Sequence, residues 1–135
     1  MSTEITKKRV AVIGSRDFTD KKRLYDVLTK NYDRIKLIIS GGARGADTLA
    51  VQWATDYGIP YLVFPALWHN PFTGEADKGA GFRRNVKIIE QADVIMAFWD
   101  GKSKGTAHSL EYAGLKNKPI KIFKFSPEES TDVPY

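Results

Sequence analysis

The sequence predicts a three-layer α/β fold on a doubly wound parallel sheet of five strands in the order 3-2-1-4-5. Short apolar runs alternate with helix-length amphipathic stretches along a chain of 135 residues, without repeats or linkers. That alternation means parallel strands covered by helices on both faces. Polar, glycine-bearing loops follow the first, second and fourth strands. The turns at the other ends, such as Asp33-Arg34 and Lys116-Asn117-Lys118, look merely solvated. Right-handed crossovers leave few topologies. The chosen order puts the apolar first and fourth strands inside and the last strand, with Lys121 and Lys124, at an edge, where lysines discourage strand addition.

Taken in order, Arg9–Ile13 is the first strand and ends at Gly14. Asp20–Tyr32 is a helix, with Leu24, Val27, Leu28 and Tyr32 at helical spacing and Thr19 or Asp20 as its cap. Lys36–Ser40 is the second strand. Ala46–Tyr57 is the second helix, with Leu49, Ala50, Trp53 and Tyr57 on one face and Gly58 and Pro60 as its stop signal. Tyr61–Phe64 is the third strand. The loop from Pro65 to Gly81 is long for such a domain, and loops of that length are usually functional or disordered. Phe82–Ala92 is the third helix, with Phe82, Val86 and Ile89 inward. Val94–Trp99 is the fourth strand. Thr106–Lys116 is the fourth helix, with Leu110 and Ala113 inward, and Ile120–Phe125 is the last strand. One domain thus fills 1–125, and 126–135 reads as an acidic, flexible tail.

Composition excludes several classes of function. No apolar run approaches the roughly 18 to 20 residues of a membrane span. The polar start, Met1 to Arg9, has no apolar signal region, so the expected location is the cytoplasm. The absence of cysteine excludes disulfides, thiolate catalysis and cysteine zinc sites. His69 and His108 lie far apart, so no metal site is expected. Net charge is +5; the tail contributes −3 through Glu128, Glu129 and Asp132, which leaves +8 on the body. Such a body tolerates polyanions, although lysines solvating helix faces explain it equally simply.

The stretch Ser40-Gly41-Gly42-Ala43-Arg44-Gly45-Ala46-Asp47 leads from a strand through a glycine turn into a helix. Glycines allow positive φ and close approach of backbone to a ligand. The following helix directs unpaired N–H groups back at the turn, and Arg44 adds a donor fork, so the stretch reads as an anion seat. Asp47 either compensates the helix dipole or bonds Arg44 or a ribose hydroxyl. Beside it, Gly14 permits a sharp turn, Ser15 offers a hydroxyl and Arg16 can hold phosphate bidentately. Trp68, in the long loop, is either a base-stacking lid or a residue that packs that loop onto the core. Asn85 falls on the buried side of the third helix and needs partners. Of its neighbours, Arg83 is expected near the site and Arg84 towards solvent. Asp100, Gly101, Ser103, Gly105 and Thr106 close the site, with Thr106 capping the fourth helix, binding phosphate, or both. Neither a P-loop nor a GxGxxG motif is present, which argues against a nicotinamide cofactor.

This ordered set resembles the SLOG superfamily: Gly14-Ser15-Arg16, SGGARGAD at 40–47, Ala80-Gly81 with Arg84-Asn85, and Trp99-Asp100-Gly101 with Lys104-Gly105-Thr106. That group includes the Smf/DprA proteins and the LOG phosphoribohydrolases. The most similar branch is that of the small YspA-like (cpYpsA-related) proteins. The resemblance covers roughly residues 9–125 and implies a Rossmann-like fold whose glycine loops bind nucleotides or nucleotide-derived ligands. It also implies two alternatives. One is a LOG-like nucleoside monophosphate N-glycosidase. There the glutamate that follows the matching glycine-threonine, Gly105-Thr106, is replaced by Ser109, which leaves Asp47, Glu75, Asp100 and Glu111 as carboxylate candidates. The other is DprA-like binding of single-stranded DNA. The expected partner is a nucleotide or a related small molecule, with Mg2+ entering only with the phosphate, no required cofactor, no membrane, and a homodimer as an option.

Overall fold

The computed structural model describes residues 6–126, so all but the first residue of the tail expected at 126–135 lies outside the described residues. β1 (Lys8–Gly14), β2 (Ile35–Ser40), β3 (Tyr61–Val63), β4 (Val94–Trp99) and β5 (Ile120–Lys124) form one parallel sheet. Its order is β3-β2-β1-β4-β5, as expected from the sequence. In the centre, Val10 stands opposite both Ile38 of β2 and Val94 of β4.

Side chains of a strand alternate between faces, and β1 shows what that does here. Val10 and Val12 enter one apolar cluster with Leu24, Leu28, Trp53 and Phe98. Ala11 and Ile13 enter a second with Ile88, Ile89 and Ala113. Helices α1 (Lys21–Lys30) and α2 (Ala46–Tyr57) therefore cover one face, and α3 (Ala80–Gln91) and α4 (Lys104–Leu115) the other. Trp53 is fully buried, and its indole N–H donates to Thr29 Oγ1 at 3.1 Å, which locks α2 onto α1 without leaving a buried donor unpaired.

Several element ends move from their expected places, each for a local reason. Asp20 is the cap of α1, its carboxylate accepting the Arg23 N–H. Tyr32 lies beyond α1 in a 3-10 turn, half-exposed, because Asn31 ends the helix by donating its side-chain amide to Val27 O and its backbone N–H to Leu28 O. Helix α2 keeps its expected bounds, closed by the left-handed Gly58. Helix α3 begins at Ala80, earlier than expected, and its inward residues are Ala80, Ile88 and Ile89. Phe82, expected inward, is half-exposed and rests on the His108 ring of α4 at 4.4 Å. Helix α4 starts at Lys104 after Ser103, so Thr106 sits inside the first turn and not at the cap. Among the described residues, no helix is long and apolar enough to cross a membrane.

Candidate functional site

At the carboxyl ends of the central strands the chain packs backbone against backbone. A Cβ on Gly14 would meet Phe98 O and lie 2.8 Å from the Ala46 Cβ, so only glycine lets the start of α2 approach β1 and β4 this closely. The buried Ser15 follows. Its N–H donates to Phe98 O at 3.0 Å, and its Oγ accepts the Asp100 N–H at 3.1 Å. The loop after β1 is thereby tied to the loop after β4, leaving Arg16 exposed above them.

The loop after β2 is built the same way. Ser40 Oγ donates to Asp47 O and accepts the Gly42 N–H, both at 3.1 Å. Gly45, at φ 88°, presses on the first loop: a Cβ there would meet Ser15 O. Helix α2 has no side-chain cap; in its first turn the Thr48 N–H donates to Ala43 O at 3.1 Å, which leaves the Ala46 and Asp47 N–H groups for a ligand. Asp47, in that turn, is 8% exposed, and its Oδ2 accepts the Ala43 N–H at 3.3 Å. Burial raises its pKa to about 6, against the opposing pull of the Ala43 N–H and the Arg84 guanidinium.

Helix α3 contributes Arg84 and Asn85. Arg84 Nη1 donates to Gly41 O at 2.8 Å and its Nε to Asn85 Oδ1 at 2.9 Å; Asn85 Nδ2 donates in turn to Gly105 O at 3.3 Å. Burial lowers the Arg84 pKa from its ordinary value, although nearby Asp47 works the other way. The expected roles of the two arginines are thus exchanged. Arg84 turns into the site, whereas Arg83 pairs with Asp77 and does not line the cleft. The reason is that Ile88 and Ile89 face the sheet, which places Arg84, one turn before Ile88, beside the loop after β2.

After β4, Asp100 Oδ1 accepts the Lys102 and Ser103 N–H groups, each at 2.8 Å, and shapes the turn through Gly101 at φ 82°. Burial alone would raise the Asp100 pKa, but these backbone donors together with the Ser15 hydroxyl outweigh it and the net shift is downward. Ser103 occupies the cap position of α4 without a capping side-chain bond. The Thr106 and Ser109 side chains are buried below it.

These parts enclose a cleft of about 480 Å3 over the junction of β1 and β4. Of the expected residues, Gly14, Ser15, Arg16, Arg44, Asp47, Arg84, Asn85, Asp100, Ser103, Gly105 and Thr106 line it. Ser40, Gly45 and Gly101 shape its loops without lining it. Gly41, Gly42 and Trp68 border a neighbouring depression. Among the carboxylate candidates, Asp47 and Asp100 are brought in. The side chains of Glu75, in the long loop, and Glu111, on α4, are exposed and line neither space. Ile13, Asp17, Ala43, Ile88, Lys102 and Ser109 also line the cleft, although the sequence did not single them out as ligand contacts. Asp17 and Lys102 were legible as loop neighbours. Ile13 and Ile88 were not, because an apolar floor looks like core until the helices are placed.

The cleft can therefore accept an anion and a hydroxyl-bearing group together. Arg16, Arg44 and Lys102 stand at its rim, the uncapped starts of α2 and α4 face it, and a carboxylate that can hold a proton lies at its back.

Comparison with known proteins places the chain in a family and supports the fold. The model of the YspA, cpYpsA-related SLOG family matches residues 8–70, which hold the loops after β1 and β2. The Gene 61 protein of Mycobacterium phage D29 is 33% identical over 133 residues, covering 89% of this chain and 99% of that protein. DNA processing protein A (DprA) from Streptococcus pneumoniae superposes with a TM-score of 0.71 at 20% identity. The match takes in 87% of this chain and 50% of that one, so the chain spans half its length. DNA processing protein A from Helicobacter pylori, described as having a single-stranded DNA binding mode, gives 0.69 at 22% identity over 93% of this chain and 71% of that one.

Proposed function

The chain belongs to the YspA, cpYpsA-related SLOG family, and on that premise we propose that it binds a nucleotide or nucleotide-derived small molecule in the cleft over β1 and β4. One observation carries the reading: the uncapped starts of α2 and α4 face the same cleft as Arg16 and Arg44, with Asp47 and Asn85 behind them. The phosphate lies against the first-turn N–H groups left unpaired at these helix starts and the two arginines, which supply charge-assisted and bidentate bonds. Asp47 and Asn85 address ribose hydroxyls. The Ile13 and Ile88 floor contributes apolar contact. No resident cofactor is required, and Mg2+ enters only as a companion of the phosphate.

The raised pKa of Asp47 favours one second reading, a nucleotide N-glycosidase. A carboxylate that exchanges its proton near pH 6 suits general acid–base work, and it supplies the acid that Ser109 does not. One experiment separates the possibilities. Purified protein is mixed with each of the four ribonucleoside 5′-monophosphates, melting is followed, and the mixture is chromatographed for free base. A binder melts higher with one nucleotide, which adds about 2.7 kcal/mol of stability at a hundredfold excess over Kd, and releases no base. An enzyme releases it. A protein that takes DNA strands, as described for the Helicobacter pylori protein, binds an oligonucleotide instead, with affinity falling steeply in salt. Arg44→Ala abolishes the nucleotide shift; a shift of unchanged size would rule out the phosphate seat.

A further inference from the structure

The cleft continues past its arginines into a second depression of about 350 Å3, on the β2–β3 side. Arg16, Ala43, Arg44 and Arg84 line both spaces. Three cations thus stand between two concavities, each above the ~300 Å3 at which small-molecule sites begin. The floor of the second is the backbone of Gly41 and Gly42. A Cβ on Gly41 would lie 2.6 Å from Arg84 Nη1, and one on Gly42 2.8 Å from Val63 Cγ1. Its far wall is Pro65, Ala66 and Trp68.

Trp68 is held and at the same time presented. Its backbone O accepts the Asp77 N–H at 2.7 Å, and a bridge between His69 and Ala76 closes the loop beyond it. The end of its six-membered ring lies over Gly81, where an added Cβ would come within 2.8 Å of Cη2. Even so, the residue is 46% exposed. An aromatic ring anchored on one side and open on the other, next to cations, suits stacking of a second ring. Phe72, in the same loop, is 94% exposed and does not line the depression, so Trp68 is the aromatic positioned for this.

The geometry points to a ligand of two nucleoside-sized groups joined by phosphate, the first in the main cleft, the bridge at Arg16, Arg44 and Arg84, and the second group stacked on Trp68. The inference rests on the nucleotide-binding reading and specifies its ligand class: a small dinucleotide. The two spaces lie between the Lys102-Ser103 turn at one end and the Pro65–Trp68 wall at the other, which fits a ligand of limited length better than a continuing strand.

The test uses the full chain and calorimetric titration. The four ribonucleoside 5′-monophosphates are ranked, and the best is compared with its own pyrophosphate-linked homodinucleotide and with a 20-residue oligodeoxythymidine. The dinucleotide is expected to bind on the order of tenfold more tightly than the mononucleotide, in keeping with the usual worth of one base–aromatic stack. Trp68→Ala brings that ratio close to one and Trp68→Phe restores most of it, which a folding defect would not do. Equal binding of mononucleotide and dinucleotide overturns this inference and leaves the nucleotide site standing. A ratio unaffected by Trp68→Ala overturns it as well. Tighter binding of the oligodeoxythymidine with steep salt dependence overturns it in favour of a strand. Failure of every nucleotide to bind overturns both readings.

Discussion

Asp47→Asn tests the electrostatics at the back of the cleft. Asp47 is 8% exposed, and burial lifts its pKa from 3.8 to about 6. The folded protein therefore holds this proton more tightly than the unfolded chain does. Its contribution to stability is complete below about pH 4, declines as pH rises, and is gone above about pH 6. The full span amounts to about 3 kcal/mol, and about 2 kcal/mol of it falls between pH 4.5 and 7.5. Asparagine keeps an oxygen for the Ala43 N–H and does not ionise. The assay is urea unfolding of both proteins at pH 4.5 and 7.5, since comparing them cancels the titration of other groups. The stability of Asp47→Asn relative to the wild type should improve by about 2 kcal/mol between the two pH values. A pH-independent difference would refute the reasoning, and so would one that moves the other way. Either result would mean that the Arg84 cation and the backbone N–H groups outweigh burial and that the carboxylate stays charged throughout.

Two further perturbations test how the loops are held. Gly45→Ala should cost at least about 2 kcal/mol in urea unfolding, because φ is 88° and the new Cβ would meet Ser15 O. Arg84→Ala should cost about 2 kcal/mol in thermal or urea unfolding, since it leaves Gly41 O without that donor and Asp47 without its cation. Arg83→Ala removes only a partly exposed pair with Asp77 and should cost less than about 1 kcal/mol. Equal losses for the two arginines would contradict their exchanged roles.

Strand count, order and most element positions were legible in the sequence because they follow from local patterns: apolar runs, helical spacing, and stop signals such as Gly58. The three glycine-bearing loops were legible for the same reason, since only certain residues satisfy a sharp turn beside a helix start. Side-chain direction was less so. Whether Arg83 or Arg84 enters the cleft depends on the rotation of α3, and that is set by Ile88 and Ile89 packing on β1 and β2, far away in sequence. Phe82 is left half-exposed against His108 for the same reason.

The chain's own residues thus determine a doubly wound sheet with polar, glycine-bearing loops on one edge, because periodicity and turn chemistry act over a few neighbours. Only the tertiary structure decides that Asp47 is buried deeply enough to raise its pKa, that Ser15 ties Asp100 to β1, and that Arg16, Arg44 and Arg84 stand between two spaces instead of around one. Those are properties of distance and solvent exclusion between segments that meet only when the sheet is assembled.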